Sequence, residues 1–155
     1  TAPRAKQRYI LQDCARDARA RNLPFGHFVD PFGDPVKRGF ALFPGALAHG
    51  KGMAFVGAYL SAAFAKGIDI DSENGLRQVI ANAGLGWEAI HSHPDSDTWT
   101  QLLEDNVSAM LGAGLWGVPS FRIRSPGEPD FCCWGQDRIW RVEHELVRRS
   151  QPTTE

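Results

Sequence analysis

The chain holds a single evident pair of strands, and that pair limits what the rest can be. "SFRIR" and "DFCCW" flank "SPGEP", whose Pro and Gly are turn formers, so residues 120–134 read as a β-hairpin. An isolated two-stranded hairpin is marginal in water and needs further strands or a covering layer. Nearly all the remaining sequence carries the helical period. The chain therefore reads as an α/β fold that is mostly helical, with its hairpin near the C-terminal end and strands still to be supplied.

Lys6 to about Arg21 places Tyr9, Ile10, Cys14 and Ala18 at helical spacing, stopped by "NLPFG". After a loop rich in Phe, Gly and Pro, Asp34 then Pro35 read as the cap and first turn of a helix through Phe40 and Leu47, with Pro44 inside it. Lys51 to Lys66 presents Met53, Val56, Leu60 and Phe64 on one face and stops at Gly67. Asp71 or Ser72 caps a short helix with a stripe of Leu76, Val79, Ile80 and Ala83, ended by Gly84. A turn around Trp87–His91 leads into a helix from about Asp97 to Gly112. A last helix, Gln136 to about Arg149, is expected to bury Ile139, Val142, Leu146 and Val147. No internal repeat or low-complexity segment interrupts this order.

At 155 residues the chain is about the size of one domain. Seventeen basic and eighteen acidic residues give a formal charge of −1, which offers no single-sign field for nucleic acid or an anionic membrane. No apolar run approaches the ~18 residues of a membrane span, and "TAPRAKQRYI" has no apolar signal core. Cys14 and the adjacent Cys132 and Cys133 make neither an even framework nor a C-x-x-C, so a reducing, cytoplasmic setting is expected. Cys14 fits the apolar stripe of its helix; of the neighbouring pair, alternation along a strand sends one thiol into the core and leaves the other half-exposed.

The stretch "GLWGVPSFRI" sets Pro119 where a helix gives way to the first strand. Together with the hairpin and "WGQDRIWRVEHEL", it resembles the C-terminal half of a thioredoxin-like domain. It is most similar to the 2-hydroxychromene-2-carboxylate isomerases and kappa-class glutathione transferases, relatives of DsbA. "PRAKQRYILQDCARDARARNLPF" and "AFAKGIDIDSENGLRQVIANAGL" resemble parts of that family's helical insertion, so the likeness covers nearly the whole chain. It implies an α/β thioredoxin-like fold with a large helical insertion. Residues 1–150 would form a single DsbA-like domain: about 22–112 the insertion and return helix, 113–150 the cis-proline strand, hairpin and last helix, and 151–155 a tail.

The resemblance also implies a site. Pro119 would follow a cis peptide bond, turning the backbone of Val118 outward to pair with the cysteinyl part of glutathione as an added strand does. Gln136 and Asp137 would hold its γ-glutamyl end at the start of the last helix, and Lys6 stands where the family has a glutathione-binding lysine. Trp116 would wall the substrate side, and Arg138 would pair with an acidic neighbour. The family's first strand, its catalytic Ser or Cys and its second strand precede the segment matching "PRAKQRY", so these residues contain no catalytic residue and a longer chain is expected. The implied activity is glutathione-dependent isomerisation, or kappa-like conjugation, of a small aromatic-derived substrate by a homodimer. A DsbA-type thiol–disulfide oxidoreductase is the alternative, and a non-catalytic binding module is expected if the chain is complete.

Two further patterns lead nowhere. "HSHPD" brings His91 and His93 together with no third ligand at metal spacing. "GALAHGKG" has Gly52 where a phosphate loop needs Ser or Thr, and it follows a helix rather than a strand.

Overall fold

A computed structural model describes residues 3–29, 34–91 and 96–151. They fall into two compact units, residues 1–99 and 100–155. The first is helical: α1 (Arg4–Ala20), α2 (Asp34–Ala48), α3 (Gly52–Phe64), α4 (Glu73–Asn82), α5 (Trp87–His91) and the start of α6 (Ser96–Gly112). The second holds the rest of α6, strands β1 (Ser120–Ile123) and β2 (Phe131–Trp134), a 3₁₀ turn (Gln136–Arg138) and α7 (Ile139–Ser150).

In the helical unit, local chemistry fixes the corners and small side chains set the packing. Gly67 takes φ +61° after α3, a conformation that costs a glycine little. Ser72 caps α4: its Oγ accepts from the Gly75 N–H at 3.0 Å and donates to the Asp69 carbonyl at 2.7 Å. Glu73 in the first turn binds Arg77 one turn on, and that guanidinium lies 4.3 Å from the centre of the Trp87 ring. The core gathers Leu42 and Ala46 of α2, Phe55, Ala62 and Ala63 of α3, Leu76, Val79 and Ile80 of α4, with Ile70, Ala83 and Ile90. The loop after α1 is tied to the end of α3 by Gly26 N–H to Phe64 O and Val29 N–H to Ala63 O.

Several expectations are corrected here. Residues 87–91 form a short helix rather than a turn. The face α3 buries is Phe55–Ala62–Ala63, while Met53 is 84% exposed. This helix is apolar nearly all round, so period alone could not choose its face, and the small side chains of Ala62 and Ala63 permit the close approach. Cys14 is exposed rather than core, because α1 buries none of its residues. The His91–His93 pair lies partly outside the described residues, as does the tail beyond 151. Among the described residues no helix is long and apolar enough to cross a membrane, and no cluster of metal-ligating side chains forms.

In the second unit β1 and β2 pair antiparallel in the register Ser120↔Trp134, Phe121↔Cys133, Arg122↔Cys132, Ile123↔Phe131. Cys133 is buried and Cys132 half-buried, as the alternation predicts. Arg122 Nε donates to Asp130 Oδ2 at 2.6 Å at the loop end of the hairpin. The helix α7 departs from expectation: Ile139, Leu146 and Val147 remain about half exposed and no residue of α7 is buried. Two strands of four residues each give this helix too little sheet to lie on. Polar bonds hold it instead. Arg149 donates to the Pro129 carbonyl and to Ser125 Oγ in the hairpin loop and pairs with Glu145 at 2.6 Å; Arg148 binds Glu145 and Glu128.

Candidate functional site

The candidate site is built where α6 ends and the hairpin begins. Gly114 turns the chain with φ +74°, Leu115 is buried as an anchor, and the next residues run out to the surface. The Val118–Pro119 peptide bond is cis. Val118 is 85% exposed, and no described residue pairs with its backbone N–H or C=O. Its neighbours are fixed: Ser120 Oγ donates to the Gly117 carbonyl, and the Gly135 N–H donates to the Pro119 carbonyl at 3.0 Å.

That last bond brings two distant motifs together. Gly135 holds φ +102° and is buried, and the chain leaves it directly into Gln136 and Asp137, both exposed. The expected helix start is here a 3₁₀ turn, closed by Arg138 N–H to Gly135 O, with α7 beginning at Ile139. The Asp137 carboxylate folds back over Gly135, filling the space a Cβ would take. Among the described residues Arg138 pairs with no acid; it donates to the Trp134 carbonyl at 3.2 Å, fastening the 3₁₀ turn to the end of β2.

The structure thus gathers Val118, Pro119, Gln136, Asp137 and Trp116 in one unit. Lys6 is not among them: it is an exposed residue of α1, in the helical unit. Trp116 is 69% exposed and tilted against Trp134, ring centres 5.7 Å apart. Trp134, which ends "DFCCW" and opens "WGQDRIWRVEHEL", was given no role in the sequence reading; the indole at the strand's last position, next to Gly135, was the available signal. Beside Val118 an open groove of about 320 Å³ runs between α6 (Asn106, Met110) with Ala113 just after it and the edge of β1 (Phe121, Arg122).

A second groove, about 280 Å³ between α2 and α3, is walled by Phe40, Phe43, Phe55 and Leu60 with an entirely apolar surface. Tyr59 also lines it, and among the described residues its buried hydroxyl has no partner; burial first, and then the Asp71 carboxylate, hold its pKa above the ordinary tyrosine value, so it keeps its proton at neutral pH. It offers neither a nucleophile nor a paired charge.

The backbone at Val118 can accept an extended peptide through one donor and one acceptor, and Asp137 can accept from an ammonium. This donor and acceptor set suits an extended peptide that carries a free amino group. A family model described as "DSBA-like thioredoxin domain" matches residues 3–147. No curated protein and no solved structure gives a significant match.

Proposed function

Because the chain belongs to the DSBA-like thioredoxin domain family, an α/β thioredoxin-like fold here with a large helical insertion, we propose that it forms the glutathione-holding part of a glutathione-dependent isomerase or kappa-like transferase. The observation that carries the reading is the exposed, unpaired backbone of Val118 hydrogen-bonded through its neighbour Pro119 to the turn bearing Gln136 and Asp137.

When bound, glutathione supplies a thiolate able to add reversibly to a conjugated double bond, so that rotation can occur before it departs and the bond is restored. The Val118 N–H and C=O hold the cysteinyl residue as a neighbouring strand would, setting the sulfur's position. The carboxylate of Asp137 accepts from the γ-glutamyl ammonium, and the N–H groups opening the last helical segment face its carboxylate. Trp116 offers an apolar wall to a small aromatic-derived substrate. The serine that would stabilise the thiolate is assigned to a strand–helix–strand outside residues 1–155, paired along the free edge of β1. Support for that edge comes from the groove beside β1 and from the exposed Leu103, Val107 and Leu111 of α6, apolar surface that further strands would cover. A cytoplasmic homodimer is the setting proposed for the whole.

The family description itself favours a second reading, a thiol–disulfide oxidoreductase in which the Val118 edge docks a substrate peptide and a cysteine replaces the serine. Calorimetric titration of the protein with glutathione separates the two. The first reading expects saturable binding, weakened about tenfold by Asp137→Ala, the loss of a charge-assisted hydrogen bond. Absence of saturable binding, with thiol–disulfide exchange activity retained, overturns the first reading in favour of the second.

A further inference from the structure

We propose that Trp134 is a positioning residue for the Val118 docking edge, acting through the side-chain-free backbone of Gly117. The proposal rests on the reading of that edge as the glutathione-holding strand. Four contacts converge on this indole. Its Nε1 edge faces Gly117 so closely that a Cβ added there would lie 2.5 Å from the nitrogen and 3.3 Å from two ring carbons. Its face meets Trp116 at 5.7 Å between centres, its residue pairs with Ser120 in the ladder, and its carbonyl accepts from Arg138.

Gly117 is therefore a glycine for a reason of approach: its backbone lies against a rigid aromatic ring, where no side chain fits. The ring supports the peptide immediately before Val118 from one side. Ser120 Oγ holds the Gly117 carbonyl, and the Gly135 N–H holds the Pro119 carbonyl beyond it. The exposed pair of Val118 groups is thus carried on a braced segment, and a peptide that pairs with them need not first order it. At 39% exposure Trp134 is too open to be a core residue of this unit, so its position is better explained by what it supports than by what it buries.

The test compares Trp134→Ala, Trp134→Phe and Cys133→Ala by glutathione titration, thermal melting and amide spectra of the Gly117–Val118 segment. Cys133 is the buried neighbour of Trp134 on β2 and serves as the control for simple weakening of the hairpin. Trp134→Ala is expected to weaken glutathione binding about tenfold, with Trp134→Phe restoring most of it and Cys133→Ala leaving affinity within about twofold at a comparable drop in melting temperature. Equal affinity losses in Trp134→Ala and Cys133→Ala would mean that Trp134 merely stabilises the hairpin, and the proposal falls. If the unsubstituted protein does not bind glutathione, the functional reading fails instead. The amides of the free protein then decide on Trp134: broadening confined to Gly117 and Val118 in Trp134→Ala supports positioning, and unchanged lines overturn it.

Discussion

The helical unit and the hairpin unit differ in how much closed core they build. In the first, Val79 and Ile80 are 0% exposed and Ile90 1%, sealed by small residues at the helix crossings. In the second, the buried apolar residues among those described are Leu115 and Cys133, while α6 and α7 leave leucines and valines in water. One unit has a closed core, although Tyr9, Ile10 and Met53 stay exposed on its outer helices; the other has helices with more apolar surface than two short strands can cover. The candidate site belongs to the second. A backbone donor and acceptor such as those of Val118 remain usable because no ladder bond has consumed them, and a completed sheet interior would offer none.

The largest expected effect tests that contrast directly. Ile80→Ala removes a side chain from the closed core and should cost about 2–5 kcal/mol of unfolding free energy. Leu146→Ala, at a position about half exposed on α7, should cost less than about 1 kcal/mol. Urea denaturation of both variants measures the pair. Comparable losses would mean that α7 is packed against something in solution, and the hairpin unit would then not be the unfinished one.

A smaller effect sharpens the same comparison from within the finished unit. Ser72→Ala leaves the Gly75 N–H without its side-chain acceptor at the start of α4 and should cost about 1 kcal/mol. Amide exchange at Gly75 and Leu76 should quicken while the Val79–Ile80 core stays protected. If protection of the core falls equally, the cap and core are one cooperative unit and the helical unit owes more to its corners than its packing suggests.

Much of this was legible in the residues, and the failures share a cause. Helix stops at Gly67 and Gly84, the Ser72 cap, the hairpin and the split of Cys132 from Cys133 all follow from local chemistry, which the sequence contains in full. The buried face of α3 did not, because a helix apolar all round leaves its orientation to partners. The burial expected of Ile139, Leu146 and Val147 does not occur: the amphipathic pattern is there, but no described element covers it. At the site, Pro119, Gln136 and Asp137 were named through the resemblance to a known family, and the structure brings them into one unit. The Gly135–Pro119 bond that joins them, and the placing of Trp134 under Gly117, depend on how a hairpin closes and could not be read from spacing.

The smallest expected effect concerns what holds α7 in place of a core. Glu145 accepts from Arg148 and Arg149, and these hydrogen bonds pull its pKa from 4.5 to about 2, while Arg148 is pushed above its ordinary value by Glu145 and then Glu128. A carboxylate whose folded pKa lies below its unfolded one stabilises the fold fully above the unfolded value and ceases to do so as pH falls through the folded value. The attachment of α7 to the loop at Ser125 and Pro129 should therefore be pH-independent above about 5 and loosen between 4.5 and about 2. The Arg149 side-chain resonances would follow this in an acid titration, and Glu145→Gln should flatten the change. The Arg148–Glu128 arm of the network is half-exposed, so added salt should weaken it, and the shielded Arg149–Glu145 pair less so. A profile unaltered by Glu145→Gln would place the hold on α7 elsewhere, and the half-exposed Ile139, Leu146 and Val147 would then have to carry more of it than their surroundings among the described residues suggest.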